Sequence, residues 1–163
     1  MRIKKGNKSK KSRSNDWWTE FQLFLSLTKK YRFYPNCDLA ATNANSLCKY
    51  YYDKKIDTLL VEKWTLPIKK KLIGWLNPPN DQIGPFMRKC YEQFKDFNIP
   101  TMMIVPSNVR GTKAWWFGIE DPKDRGEKVL SKPLKGRPKF LLRGKNSKYS
   151  SINSYEVVIW GRK

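Results

Sequence analysis

Histidine is absent from the 163-residue sequence. Cys/His zinc sites and every His-based catalytic triad are excluded with it, so no metal centre is expected. The chemistry must run on Asn, Asp, Glu, Lys, Tyr or backbone groups. Cysteine is scarce: Cys37, Cys48 and Cys90 are odd in number and widely spaced. That pattern suits reduced thiols in a cytosol better than a disulfide framework. No apolar run approaches the ~20 residues that span a bilayer, and no apolar stretch follows the basic start as in a signal peptide. A cytoplasmic protein without a membrane anchor is expected. Acids are few as well: 14 Asp and Glu stand against 34 Lys and Arg, a net charge of +20. Self-repulsion of that size destabilises a compact state unless a polyanion compensates it. Nucleic acid is the expected partner, ahead of an anionic membrane surface.

What is present is globular in character. Hydrophobic residues make up 39% of the chain, with seven Trp, eight Tyr and eight Phe, enough for one core in one domain. Residues 1–14 carry seven Lys/Arg and no acid. They read as a disordered basic tail able to hold phosphates by charge alone. Residues 15–163 read as the folded domain, including a basic, loop-rich segment over 121–151.

Within that domain, Thr19 is placed to cap a helix through Phe21, Phe24, Leu25 and Leu27. Residues 33–39 predict a short strand reaching Asp38, residues around Leu47 and Cys48 a short helix, and residues 50–52 an aromatic strand. Residues 72–76 form an apolar run suited to a buried strand. Phe86, Cys90, Phe94 and Phe97 fall at helical spacing. Residues 101–105 predict a second buried strand, Trp115–Phe117 a short helix, residues 139–142 a strand-like patch and residues 155–160 a closing strand. Strands alternating with helices imply an α/β fold with a mixed, mostly parallel sheet covered on both faces.

The strand over residues 72–76 runs directly into Asn77-Pro78-Pro79-Asn80. Such a loop lies at the carboxyl edge of an open sheet, where α/β folds bind ligands. The prolines fix φ and remove two N–H donors. Two stiff acceptors remain: the Asn77 side-chain oxygen and the Pro78 carbonyl. An aromatic amine is a poor nucleophile because its lone pair is delocalised into the ring. Two acceptors on its N–H groups hold it pyramidal, with the lone pair free for a methyl sulfonium. This catalysis is orientation and electrostatic preorganisation, and it needs no histidine. Taken alone, Asn-Pro-Pro-Asn also fits an ordinary turn.

The surrounding motifs resemble, in order, those of the phage-type (Dam-like) DNA adenine-N6 methyltransferase family from Asp16 to Trp160. Asp16-Trp17-Trp18-Thr19 looks like the family's opening segment, and Asp38-Leu39-Ala40-Ala41-Thr42 with Asn45, Cys48 and Tyr52 like the next block. Asp57, Leu59 and Trp64 precede the catalytic strand, and Trp75-Leu76-Asn77-Pro78-Pro79 matches the core. Ile104-Val105-Pro106, Trp116-Phe117, Gly136-Arg137 with Phe140, and Ser154 complete the series. The resemblance implies a Rossmann-like fold that uses S-adenosylmethionine. Trp18 and Thr19 would border the cofactor, Asp38 would hold its methionine amino group, and Asp57 would contact its adenosine end. Ala40 and Asn45 belong to the same cofactor block, with Ala40-Ala41-Thr42 replacing the glycine-rich loop of many methyltransferases. Asn77 and Pro78 would grip the target amine, with Pro79 and Asn80 completing the catalytic loop. The position after Asn-Pro-Pro is usually aromatic in the family; here it is Asn80. Another ring is then needed over the target base, and Trp116 is expected to supply it. Read from the residues themselves, Asp38 could instead cap a following helix, Asp57 pair with a lysine, and Trp18 or Trp116 belong to the core.

The expected substrate is DNA, double-stranded more than single-stranded. Extruding a base costs roughly a few kcal/mol, which phosphate contacts from the tail and from the basic segment, Arg137 and Lys139 among them, would offset. No separate target-recognition domain fits in the length, so short or relaxed sequence specificity is expected. The rival readings are methylation of cytosine N4, an RNA adenine or a glutamine side chain, and a catalytically inactive nucleic-acid binder of the same fold.

Overall fold

The computed structural model describes residues 17–53, 55–142, 144–146 and 153–162. The basic tail, the domain's first residues Asn15 and Asp16, and residues 147–151 of the basic segment lie outside the described residues.

A six-stranded sheet forms the centre. In chain order its strands are β2 (Cys37–Asp38), β3 (Tyr50–Tyr51), β4 (Gly74–Leu76), β5 (Thr101–Pro106), β6 (Val129–Pro133) and β9 (Tyr155–Trp160). In space they run β3-β2-β4-β5-β9-β6. The pairs β3–β2, β2–β4 and β4–β5 are parallel, and β9 is antiparallel to both β5 and β6. A second sheet of three antiparallel strands joins β1 (Trp17–Thr19), β7 (Phe140–Leu142) and β8 (Lys145–Asn146) in the order β1-β7-β8.

Strand alternation divides the core between the two faces of the large sheet. Met103 and Val105 of β5, Val158 and Trp160 of β9 and Leu76 of β4 face helix α2 (Ile83–Phe97), which contributes Phe86, Met87 and Cys90. Met102, Ile104, Val157, Ile159 and Trp75 face helix α1 (Phe21–Tyr31), which contributes Phe24, Leu27 and Tyr31. All six residues of β5 are buried, as a central strand covered on both faces requires. Each large apolar side chain so buried is worth about 1.5–3 kcal/mol. α2 ends where Asn98 turns left-handed at φ 52° and its N–H bonds the Phe94 carbonyl at 2.9 Å. The chain is thereby turned back into β5.

Several expectations are corrected. Thr19 does not cap α1; it ends β1, paired with Phe140, and Glu20 is the capping position. No helix passes through Leu47 and Cys48. That stretch is a series of turns, tied instead to Asp38 by the Leu47 N–H at 3.2 Å. The basic segment is more ordered than its composition suggests: β6 forms an edge of the large sheet and β8 extends the small one. After β5 come three consecutive helical turns, Lys113–Trp115, Trp116–Glu120 (of π type) and Asp121–Asp124. No described helix is long and apolar enough to cross a membrane.

Candidate active site

The carboxyl ends of four neighbouring parallel strands open on one cavity of about 1170 Å³. Asp38 ends β2, Tyr52 and Asp53 follow β3, Asn77 follows β4 and Pro106 ends β5; all line it. Because β9 runs antiparallel, its beginning reaches the same edge with Asn153 and Tyr155. The small sheet adds a wall of Trp17, Trp18, Thr19 and Phe140. Ligand pockets commonly span about 300–1,000 Å³, so there is room for more than one small ligand.

At the head of α2, the Leu76 strand end passes into Asn77-Pro78-Pro79. Asn80–Gln82 then make one 3₁₀ turn, closed by the Gln82 N–H on the Pro79 carbonyl at 2.9 Å. Asn77 donates from Nδ2 to the main-chain carbonyl of Trp17 at 3.2 Å. One of the amide's two N–H groups is thereby engaged, and among the described residues no donor is seen on its Oδ1, which is left to accept an N–H group. Pro78 is buried and Asn80 is exposed.

Asp38 is the most perturbed acid. It is 4% exposed; its Oδ1 accepts the Ala40 N–H at 3.4 Å and its Oδ2 the Leu47 N–H at 3.2 Å. Burial pushes its carboxyl up to about 7, and the two backbone hydrogen bonds only partly counteract this. Those bonds also fold the loop around it, where Asn45 Oδ1 takes the Thr42 N–H and hydroxyl at 2.6 and 2.9 Å. Asp57 opens a turn by accepting the Leu59 N–H at 3.0 Å, and Asp53 does the same for Lys55 at 2.9 Å. Thr19 Oγ1 is buried without a hydrogen-bond partner.

Four acids, Asp38, Asp53, Asp57 and Asp81, line the cavity; among the described residues no Lys or Arg does. In a chain with 34 basic residues this is a sharp local reversal of charge. It favours a cationic ligand. The three cysteines take no part in this wall. Burial raises the thiol pKa of each, Cys37 to about 12, which leaves them protonated and inert at neutral pH.

The fold therefore brings Trp18, Thr19, Asp38, Ala40, Asn45 and Asp57 together with Asn77, Pro78, Pro79 and Asn80 around one space. It does not bring Trp116, Arg137 or Lys139 to that wall. Trp116, half exposed, sits on the π-type turn. That turn packs on the flank of α2 through Gly118 against Met87 and Phe117 against Tyr91, whereas the cavity is lined by Ile83 and Phe86. Several lining residues were missed in the sequence, Asp53, Asp81 and Trp17 among them. Asp53 carried a usable signal, an acid directly after a short aromatic strand; Trp17 carried none beyond its neighbourhood.

Compared with known families, residues 6–162 match the family described as DNA N-6-adenine-methyltransferase (Dam). Searches of curated proteins and of solved structures return no match. With all but the first five residues and the last inside the match, the chain belongs to the DNA N-6-adenine-methyltransferase (Dam) family.

Proposed function

We propose that the protein transfers a methyl group from S-adenosylmethionine to the N6 amine of adenine in DNA, and that residues 15–163 are a Rossmann-like methyltransferase domain. The observation that carries this is the acid-lined cavity at the strand ends, with the Asn77 amide at its edge. When bound, S-adenosylmethionine supplies an electrophilic methyl on a sulfonium, beside an ammonium and a carboxylate. The residues present fit such a molecule. Asp38 is a buried carboxyl whose charged form has no cationic partner among the described residues, and an ammonium would supply one. The orphaned hydroxyl of Thr19 is a donor for the carboxylate. Asp53 and Asp57 offer acceptors to ribose hydroxyls. Ala40, Asn45 and Trp18 complete the wall.

At the other end of the cavity, Asn77 Oδ1 and the Pro78 carbonyl accept the two N–H groups of the target amine. The amine lone pair is thereby withdrawn from the ring and turned toward the donor. No strong base is required: the new N–C bond leaves the N6 nitrogen cationic, and its proton, now strongly acidic, passes to water. Low dielectric at a half-buried site strengthens both hydrogen bonds. Arg137 and Lys139, both exposed, serve the DNA backbone outside the cavity through phosphate contacts, and sequence specificity is short or relaxed.

An inactive nucleic-acid binder is the second reading, favoured by Asn80 in place of an aromatic. The retained acid-lined cavity weighs against it. The deciding experiment is incubation with methyl-labelled S-adenosylmethionine and single- and double-stranded DNA and RNA, followed by nucleoside mass spectrometry. Labelled N6-methyladenine from DNA is expected. Label on cytosine, label confined to RNA, or none at all refutes the proposal.

A further inference from the structure

We infer that the indole of Trp17 is the ring that covers the target base, in the role that Asn80 cannot fill. This deepens the reading of the site as an adenine methyltransferase and rests on it. Two hydrogen bonds from Asn77 and Pro78 fix the edge of a base but do nothing for its faces. An extruded base forfeits its stacking in the duplex, so a site that lacks a ring leaves that loss uncompensated.

Seven aromatic side chains line the cavity among the described residues, and six are committed elsewhere. Trp75 is 1% exposed and packed edge-on against Phe24, with ring centroids 4.9 Å apart. Phe86 and Phe140 are buried in the two cores. Tyr155 leans on Phe140 at 4.9 Å, and Tyr52 is anchored through its hydroxyl to both the N–H and the carbonyl of Thr65, at 2.9 Å each. The Trp18 ring lies against Gly144, where an added Cβ would come within 2.7 Å of it.

Trp17 is different. At 36% it is the most solvent-open of the seven. Alternation along β1 sets it on the same face as Thr19, whose ladder partner Phe140 packs into the core, and opposite to Trp18. Its own carbonyl holds the Asn77 amide at 3.2 Å. The residue that orients the amine's acceptor thus carries, at the same rim, an indole with no ring or hydrogen-bond partner among the described residues. Trp116 has an exposed ring but does not line the cavity.

The test compares Trp17→Ala, Trp17→Leu and Trp17→Phe with wild type, reading kcat/KM on an adenine-containing duplex and calorimetric affinity for S-adenosylhomocysteine. A base–aromatic stack corresponds to a factor of roughly 5–150. Ala and Leu should each lose that much in kcat/KM, Phe should regain most of it, and cofactor-product affinity should stay within about threefold throughout. Leu keeps apolar bulk without a ring, so equal activity of Leu and Phe would reduce Trp17 to packing and overturn the inference. So would Trp17→Ala with kcat/KM within about threefold of wild type, or a larger loss from Trp116→Ala measured beside it. If Trp17→Ala loses its fold, visible as lost cofactor-product binding, the comparison of Leu with Phe decides. Failure of wild type to methylate any DNA removes the parent reading and this inference together; methylation indifferent to the ring at 17 removes the inference alone.

Discussion

Replacing Asp38 by Asn should make the free protein more stable at pH 8 and much weaker at binding its methyl donor. In the free protein the carboxyl is buried, holds two backbone N–H groups and, among the described residues, has no basic neighbour at the cavity wall. Its rise from 3.8 to about 7 corresponds to roughly 4 kcal/mol of strain in the charged form, at about 1.4 kcal/mol per pH unit. The sign follows from proton binding. Between about pH 4 and pH 7 the folded chain holds a proton at this site that the unfolded chain has released, so stability falls as pH rises through that window and levels above it. Asparagine is never charged. It does lose one acceptor, stranding the Ala40 or the Leu47 N–H at a cost of about 1–3 kcal/mol. A net gain of about 1–3 kcal/mol at pH 8, shrinking toward zero or below at pH 5, is therefore expected from urea or thermal unfolding.

Binding should move in the opposite direction. An ammonium beside Asp38 compensates the buried charge, and removing one partner of a buried, hydrogen-bonded charge pair costs about 2–5 kcal/mol. Asp38→Asn should weaken S-adenosylhomocysteine at least about 30-fold at pH 7.5. In the wild type the ligand must expel the Asp38 proton at acid pH, so its Kd should rise about 25-fold from pH 7.5 to 5.5. Titration calorimetry across that range measures both. A flat wild-type profile, or an Asn variant within about threefold of wild type, would refute the assignment of Asp38 to the ammonium.

Asn77→Ala should lower methyl transfer by about 10²-fold or more while S-adenosylhomocysteine affinity holds, since a preorganised polar contact at the reacting group is lost; a rate above about a tenth of wild type in single-turnover assays would contradict its role. Gly74→Ala should cost about 1–3 kcal/mol by overpacking, because its Cβ would stand 2.7 Å from Leu39 and 2.9 Å from Thr101, both fully buried; an unchanged urea midpoint would show that these neighbours yield. Deleting residues 1–14 should weaken DNA binding across all sequences and flatten the slope of log K against log salt by up to about 0.9 per lost phosphate contact; an unchanged slope would leave the tail a solubilising role.

The buried strands were legible because composition and position agreed: residues 72–76 and 101–105 are apolar runs with proline close behind, and the central strands Gly74–Leu76 and Thr101–Pro106 lie on them. α2 was legible from four residues at helical spacing. β6 was not, since Val-Leu-Ser-Lys-Pro has little apolar character; it is an edge strand held by its ladder to β9, with its last two residues exposed. β1 was hidden for a related reason. Trp17–Thr19 is too short to show a period, and it is a strand only because β7, over 120 residues later, pairs with it. At the site, Asp57 was legible through the family motif, whereas Asp53, which also reaches the cavity, offered only its place directly after a short aromatic strand.

Charge is where composition alone misleads most. A net +20 describes the attraction of the whole molecule for a polyanion, yet the same field opposes entry of a cationic methyl donor. The two requirements are compatible because they act over different distances. At physiological ionic strength the Debye length is about 8 Å, so exposed lysines and arginines are screened from a partly enclosed cavity, while groups at its wall are not. Asp53, Asp57 and Asp81 at the wall, joined by Asp38 once it ionises, with no described base among them, can set the local sign against a much larger excess. They also fix an order of costs. Asp53, Asp57 and Asp81 lie at or near the surface and keep their water, whereas Asp38 is stripped of it and is strained until a cation arrives. On the proposed function, the acid that the empty protein tolerates least is the one that would hold the donor's ammonium, which is why its removal should separate stability from function more cleanly than any other change at the site.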